Sequence, residues 1–176
     1  AETDNRGTVF SGHWNRDKFL ELAATTPALH YDLTRVTGID SLPQVANPNI
    51  LFYLDAASDA TGRNIIKDGV CEELYLTLGY DYYAKEPFPP RRAVFDPQSS
   101  STKWQYIALP FDCEVPEGSR ARRIKKLSNI LISESDEVNT TLKACTPYLY
   151  RTTRPGEDRI TATDVTVDDG HGTATS

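Results

Sequence analysis

Residues 104–118, WQYIALPFDCEVPEG, constrain this chain most, because they hold two strand signals and a bend with no room for a helix. Trp104, Tyr106 and Ala108 alternate with Gln105, Ile107 and Leu109, a two-residue period carried by β-favouring or bulky side chains. Pro110 then removes a backbone donor, so the stretch reads as an edge strand entering a corner. Pro116, Glu117 and Gly118 follow as a turn, since proline presets the first dihedral and glycine accepts a positive φ. The segment carries no catalytic chemistry and speaks of architecture.

Upstream, residues 15–24 place Phe19, Leu20, Ala23 and Ala24 at helical spacing behind a capping Asn15 and an acidic Asp17. Thr25, Thr26 and Pro27 end that helix, and residues 29–36 alternate Leu29, Tyr31 and Leu33 with His30, Asp32 and Thr34 in the period of a strand. From Asn49 the run NILFYLDA is almost continuously apolar, the pattern of a central strand covered on both faces. Residues 55–64 form a loop by composition, and 64–67 and 73–78 supply two further strands. Helix, strand, loop and strand in this order resemble one unit of a solenoid.

Three prolines at 87, 89 and 90 stiffen the chain into an extended passage, followed by a short strand at 93–95 and a serine-rich turn at 96–102. Strand signals then recur at 105–109, 121–127, 129–133, 147–152 and 159–167, spacing that predicts an antiparallel module. The expected fold is therefore mainly β (α+β): a short amino-terminal helix with solenoid-like strands packed on an antiparallel β-sheet or sandwich module. Its expected divisions are a flexible amino end (1–12), a helix-plus-strand, leucine-rich-repeat-like unit (13–87), the antiparallel module (88–167) and a flexible tail (168–176).

A hydrophobic content of 39% in 176 residues is enough for a core without staples. The net charge of −6 argues against nucleic acid as a partner, because phosphate affinity needs concentrated cations. Arg120, Arg122, Arg123, Lys125 and Lys126 form a basic run that reads as a strand with a solvated cationic face. No run of eighteen apolar residues and no charged-then-apolar start appear, so neither a spanning helix nor a signal peptide is expected. A start at Ala1 fits a piece trimmed from a longer precursor. Cys71, Cys113 and Cys145 lack metal-ligand spacing; they read as small buried thiols, with a Cys71–Cys113 bridge as the other reading.

For a metal, the loop with Asp55, Ser58, Asp59, Thr61 and Asn64 offers the oxygens calcium takes, with Asp55, Asp59 and Asn64 as the ligands and a solvated turn as the plain alternative. Asp168, Asp169 and His171 form a second, weaker set. For a ligand, Tyr75, Tyr80, Tyr82 and Tyr83 crowd one segment, and exposed rings stack on sugars or anchor protein interfaces whereas buried ones fill cores. Alternation points Tyr82 and Tyr83 opposite ways, while Trp14 and Trp104 read as core anchors. His13, His30 and His171 stand apart, and GxSxG, HExxH and phosphate-loop motifs are missing. A carboxylate pair would have to be assembled by the fold from Glu72, Glu73, Asp81 or Asp112.

Taken together, WQYIALPFDCEVPEG, LKACTPYLYRT and ITATDVTV resemble a recurrent β-rich module of secreted and surface proteins of Bacteroides-type bacteria, often found near leucine-rich repeats. DLTRVTGIDSLPQVANPNILFYLDA and IIKDGVCEELYLTLGYDYYAKEPF resemble the same proteins, so the likeness spans residues 12–167. It implies an extracellular or cell-surface location, as one part of a longer polypeptide, and no catalytic residues. Asp40-Ser41-Leu42 also resembles the acceptor motif that such bacteria O-glycosylate in exported proteins. The function expected is a non-catalytic module for adhesion or for binding a glycan or protein, with calcium as its one candidate cofactor. The alternatives are a structural spacer or assembly subunit, working through neighbouring domains, and a polysaccharide hydrolase.

Overall fold

The computed structural model describes residues 2–3, 7–26, 28–128 and 131–169, and the protein is mainly β with several sheets. The first sheet has six strands in sequence order: β1 (Glu2–Thr3), β2 (Gly7–His13), β3 (His30–Thr37), β4 (Leu51–Leu54), β5 (Ile65–Lys67) and β6 (Val70–Cys71). β2, β3, β4 and β5 run parallel, and β1 and β6 close the margins antiparallel. Parallel neighbours need a crossover, and α1 (Arg16–Thr25) provides the one between β2 and β3. Asn15 caps it as its spacing predicts, with the side chain accepting from Lys18 N at 3.0 Å.

The apolar run at 49–56 sits where its composition requires. All four residues of β4 are buried, and they divide between two cores. Leu51 and Tyr53 join the larger core with Leu74, Phe95 and Tyr150, while Phe52 and Leu54 join a smaller one with Phe19, Tyr31 and Leu33. Full burial of such side chains contributes roughly 1.5–3 kcal/mol each. The smaller core is stacked aromatically: Phe19 lies 5.1 Å from Tyr31 and 5.4 Å from Phe10, both edge-on, and 5.3 Å from Trp14.

Two buried asparagines join this sheet to the next. Asn49 donates to Thr77 O (3.0 Å) and Tyr80 O (2.9 Å) and accepts from Thr77 N (2.7 Å). Asn64 donates to Pro48 O and Tyr75 O (3.0 Å each) and accepts from Tyr75 N (2.7 Å). Their amides therefore act as ladder rungs along β7 (Glu73–Thr77), whose other edge pairs parallel with β8 (Arg92–Asp96).

Beyond β8 follow β9 (Gln105–Ile107), β10 (Cys113–Glu114), β11 (Ser119–Ser128), β12 (Leu131–Val138), β13 (Thr141–Leu142), β14 (Tyr148–Thr152) and β15 (Ile160–Thr163). β12, β11, β14 and β9 form one antiparallel sheet in that order, with β9 at an edge, and β10 pairs with β13.

Several expectations change in detail. The strand signal at 159–167 yields β15, which leaves the four-stranded sheet to pair with β8 through Ile160↔Phe95 and Ala162↔Ala93. Alternation tells which face a residue occupies but not which edge the strand joins. The amino end expected to be loose contributes β1 and β2, because the crossover helix needs a parallel strand before it. The larger core runs from Leu51 to Val167 and so crosses position 87/88, where β7 and β8 are direct hydrogen-bonded neighbours. Residues 168 and 169 are held: Asp168 N donates to Pro110 O (2.7 Å), and Asp169 O accepts from Ala84 N (2.8 Å). His171 and the rest of the tail fall outside the described residues.

Cys71 and Cys113 are buried and unbridged, and Cys145 is half-buried. Burial pushes the Cys71 and Cys113 thiols up to about 12, with neighbouring carboxylates adding to the effect. Among the described residues, no helix is long and apolar enough to cross a membrane.

Candidate binding face

The four-stranded sheet presents one face to the core and one outward, and its register decides which residues meet on each. Gly118, at φ 78°, closes the turn expected at 116–118, with Ser119 N donating to Pro116 O at 3.0 Å. β11 then pairs with β14 so that Ala121 faces Tyr150 across the inner side, both fully buried, and Arg120 faces Arg151 across the outer side. One step along, Tyr106, Leu149, Arg122 and Glu137 form a continuous outward row across all four strands.

The edge strand is pinned from within. Gln105 turns inward, where its Oε1 accepts from Ser99 Oγ (3.0 Å) and its Nε2 donates to Pro97 O (2.7 Å). Ile107, on the same side, is fully buried. With Gln105 and Ile107 committed, the period of two sends Trp104 and Tyr106 outward, 37% and 45% exposed. This corrects the reading of Trp104 as a core anchor. Its place in an apolar strand had suggested burial, but the alternation in WQYI sets Trp104 on the side opposite Ile107 and Leu109. Trp14, in contrast, does pack against the smaller core.

Two of the outward arginines are held by hydrogen bonds. Arg120 donates through Nε to Glu137 Oε1 at 2.9 Å, with Nη2 at 2.8 Å from the same oxygen. Arg122 donates to Ser135 Oγ (2.9 Å) and Ser135 O (2.8 Å), with Glu137 a further 3.9 Å contact. The guanidiniums of Arg120 and Arg151 both lie over the Trp104 ring, 5.7 and 6.0 Å from its centroid. Beneath them, the Tyr150 hydroxyl donates to Asp158 Oδ2 and meets Ser119 Oγ at 2.8 Å. Burial, and next the Asp158 hydrogen bond, raise that phenol above its ordinary range, so it stays a donor.

The structure distributes the tyrosines expected as a ligand edge. Tyr75 lies on β7, half-buried, with the Arg63 guanidinium 4.0 Å above its ring; its hydroxyl accepts from Arg159 Nε (2.8 Å) and donates to Asp96 Oδ2 (3.2 Å). It lines a groove of about 510 Å³ with Pro43, Asn47 and Phe52. Tyr80 is exposed, Tyr82 is buried with its hydroxyl donating to Asp168 O at 2.8 Å, and Tyr83 is half-buried. No strand carries Tyr80, Tyr82 and Tyr83, and the three differ in exposure.

Of the residues expected to hold a metal, Asp55 and Asp59 are exposed on their loop, and Asp55 Oδ1 accepts from Ala57 N at 2.9 Å as a turn cap. Asn64 is turned away from them, its amide consumed by Tyr75 and Pro48. Among the described residues, no three His, Cys, Asp or Glu side chains converge as a metal site. Compared with protein-family models, curated proteins and solved structures, the chain matches none.

Proposed function

We propose that this chain is a non-catalytic binding module of an exported bacterial surface or secreted protein, and that it holds a glycan on the outer face of the four-stranded sheet. The observation that carries the reading is the pairing of Trp104 and Tyr106. They are two large aromatic side chains, more than a third exposed and two residues apart, Trp104 immediately before the edge strand and Tyr106 within it. That spacing is roughly 7 Å along a strand, so the two rings form a narrow platform. The apolar C–H faces of sugar rings pack on aromatic faces, and a line of rings suits a polymer of rings. A protein partner would instead need a broad patch of roughly 800 Å² around a concave, fully desolvated centre.

The solenoid-like reading of the parallel strands and the exported setting belong to the same proposal; they rest on the parallel order of β2–β5 and on the segment resemblances given above. A glycan array probed with the intact protein tests the reading. Trp104→Ala and Tyr106→Ala are expected to remove binding at unchanged melting temperature. A wild-type protein that binds no glycan across the array, or a double variant that binds as well as wild type, overturns it.

The position of β9 at a sheet edge favours one second reading, a spacer or assembly subunit that self-associates strand to strand. Sedimentation across a concentration series separates the two.

A further inference from the structure

We infer that the glycan held on this face is acidic, carrying carboxylate or sulfate groups that sit between Arg120 and Arg151. The inference rests on the glycan reading above and adds its chemical class.

Register supplies the first argument. Arg120 and Arg151 are direct cross-strand partners, and like charges in that relationship repel. Arg120 has Glu137 as a counter-ion, whereas Arg151 forms no ion pair among the described residues. The two guanidiniums share one aromatic neighbour, Trp104, which softens the repulsion without neutralising it. An oxyanion between them would remove the penalty and gain charge-assisted hydrogen bonds from two planar donors.

Charge distribution supplies the second. The chain as a whole carries −6, yet among the described side chains this face sets three guanidiniums, Arg120, Arg122 and Arg151, against the carboxylate of Glu137. A strongly acidic protein repels polyanions except where cations are gathered, so such a face is selective for an anion that reaches it. Preorganisation supplies the third: Arg122 is fixed by two bonds to Ser135 and Arg120 by Glu137, so little side-chain freedom is lost on binding. The sugar ring lies on Trp104 and Tyr106, and its acid group points along the Arg120–Arg151 row.

The test compares polymers that differ only in charge: polygalacturonate against its fully methyl-esterified form, and chondroitin sulfate against the desulfated, carboxyl-reduced polymer. Binding to an acidic polymer is expected to exceed that to its neutral counterpart by about tenfold or more and to fall as salt is raised. Polygalacturonate carries carboxylates alone, so a preference within that arm shows that a carboxylate suffices. Arg151→Gln, which removes the charge but keeps a polar side chain, is expected to lower acidic binding by about tenfold at an unchanged melting temperature. If acidic and neutral polymers bind equally, the acidic assignment fails and the glycan reading stands. If none of the four binds and the array is also blank, the glycan reading fails. Tighter binding to single-stranded nucleic acid than to any polymer overturns the sugar assignment, since bases also stack on exposed aromatics beside arginine.

Discussion

Asn64 hydrogen-bonds both backbone groups of Tyr75: its Oδ1 accepts from the Tyr75 N–H at 2.7 Å and its Nδ2 donates to the Tyr75 carbonyl at 3.0 Å. A side-chain amide has the same donor and acceptor as a peptide unit, so one buried residue completes the β7 edge where no strand lies beside it. Asn64 also sits at φ 61°, a left-handed conformation that asparagine tolerates better than most residues.

Asn64→Ala is expected to cost about 2–4 kcal/mol, because it orphans buried backbone groups of Tyr75 and Pro48 and places alanine at a positive φ. Urea denaturation should show a lower midpoint with an unchanged slope. A cost under about 0.5 kcal/mol, the range of a neutral surface change, would show that the amide rungs do not hold the two sheets together.

Tyr150→Phe removes the hydroxyl that donates to the Asp158 carboxylate, a residue only 2% exposed. The expected loss is about 2–3 kcal/mol, and Tyr150→Phe with Asp158→Leu together should cost less than the sum of the two, since removing both partners leaves no stranded charge. Additive losses in the double-variant cycle would contradict the pairing.

Asp32 supplies a pH dependence. Burial would raise its carboxyl, but hydrogen bonds from Lys85 and from the Thr34 side chain and backbone, with the Lys85 charge, outweigh that and hold it below its ordinary 3.8. A folded value lower than the unfolded one means that the contribution is fully present above the unfolded value and is lost as pH falls through the lowered one. Stability should therefore drop below about pH 4, and Asp32→Asn should flatten that acid limb while lowering the neutral plateau. An acid limb of unchanged shape in the variant would rule out Asp32 as its source.

Thiol accessibility gives a fourth expectation. Cys71 and Cys113 are buried with thiols pushed to about 12, so a thiol reagent at neutral pH should leave both untouched in the native protein, while half-buried Cys145 reacts first. All three should react in denaturant. Native labelling of Cys71 at the rate of Cys145 would contradict its burial.

Much of the fold could be read along the chain wherever one side chain dictated one outcome. The Asn15 cap and the spacing of Phe19 marked α1, the apolar run marked β4, and Gly118 marked the turn into β11. What stayed hidden depended on partners distant in sequence. Nothing near Ile160 says that it pairs with Phe95, and nothing near Asn64 says that its amide serves Tyr75 instead of a cation. The binding face was half legible. The alternation through Trp104 and Tyr106 and the basic run from Arg120 were both visible, but only the antiparallel register of β14 sets Arg151 beside Arg120 and brings the indole over both.

In most half-buried strands a slip of one residue is punished by water, because it turns oily side chains outward. β4 lacks that safeguard: both its sides are greasy, and a slipped copy would exchange Leu51 and Tyr53 for Phe52 and Leu54 without exposing any of them. The alignment of this strand must then be enforced from its ends, where Asn49 just before it is tied to Thr77 and Tyr80, and the Asn64 carbonyl takes the N–H of Phe52 at 2.9 Å. Two polar residues keep the count for four apolar ones, and a chain that lost them would retain its oil but misplace its rungs.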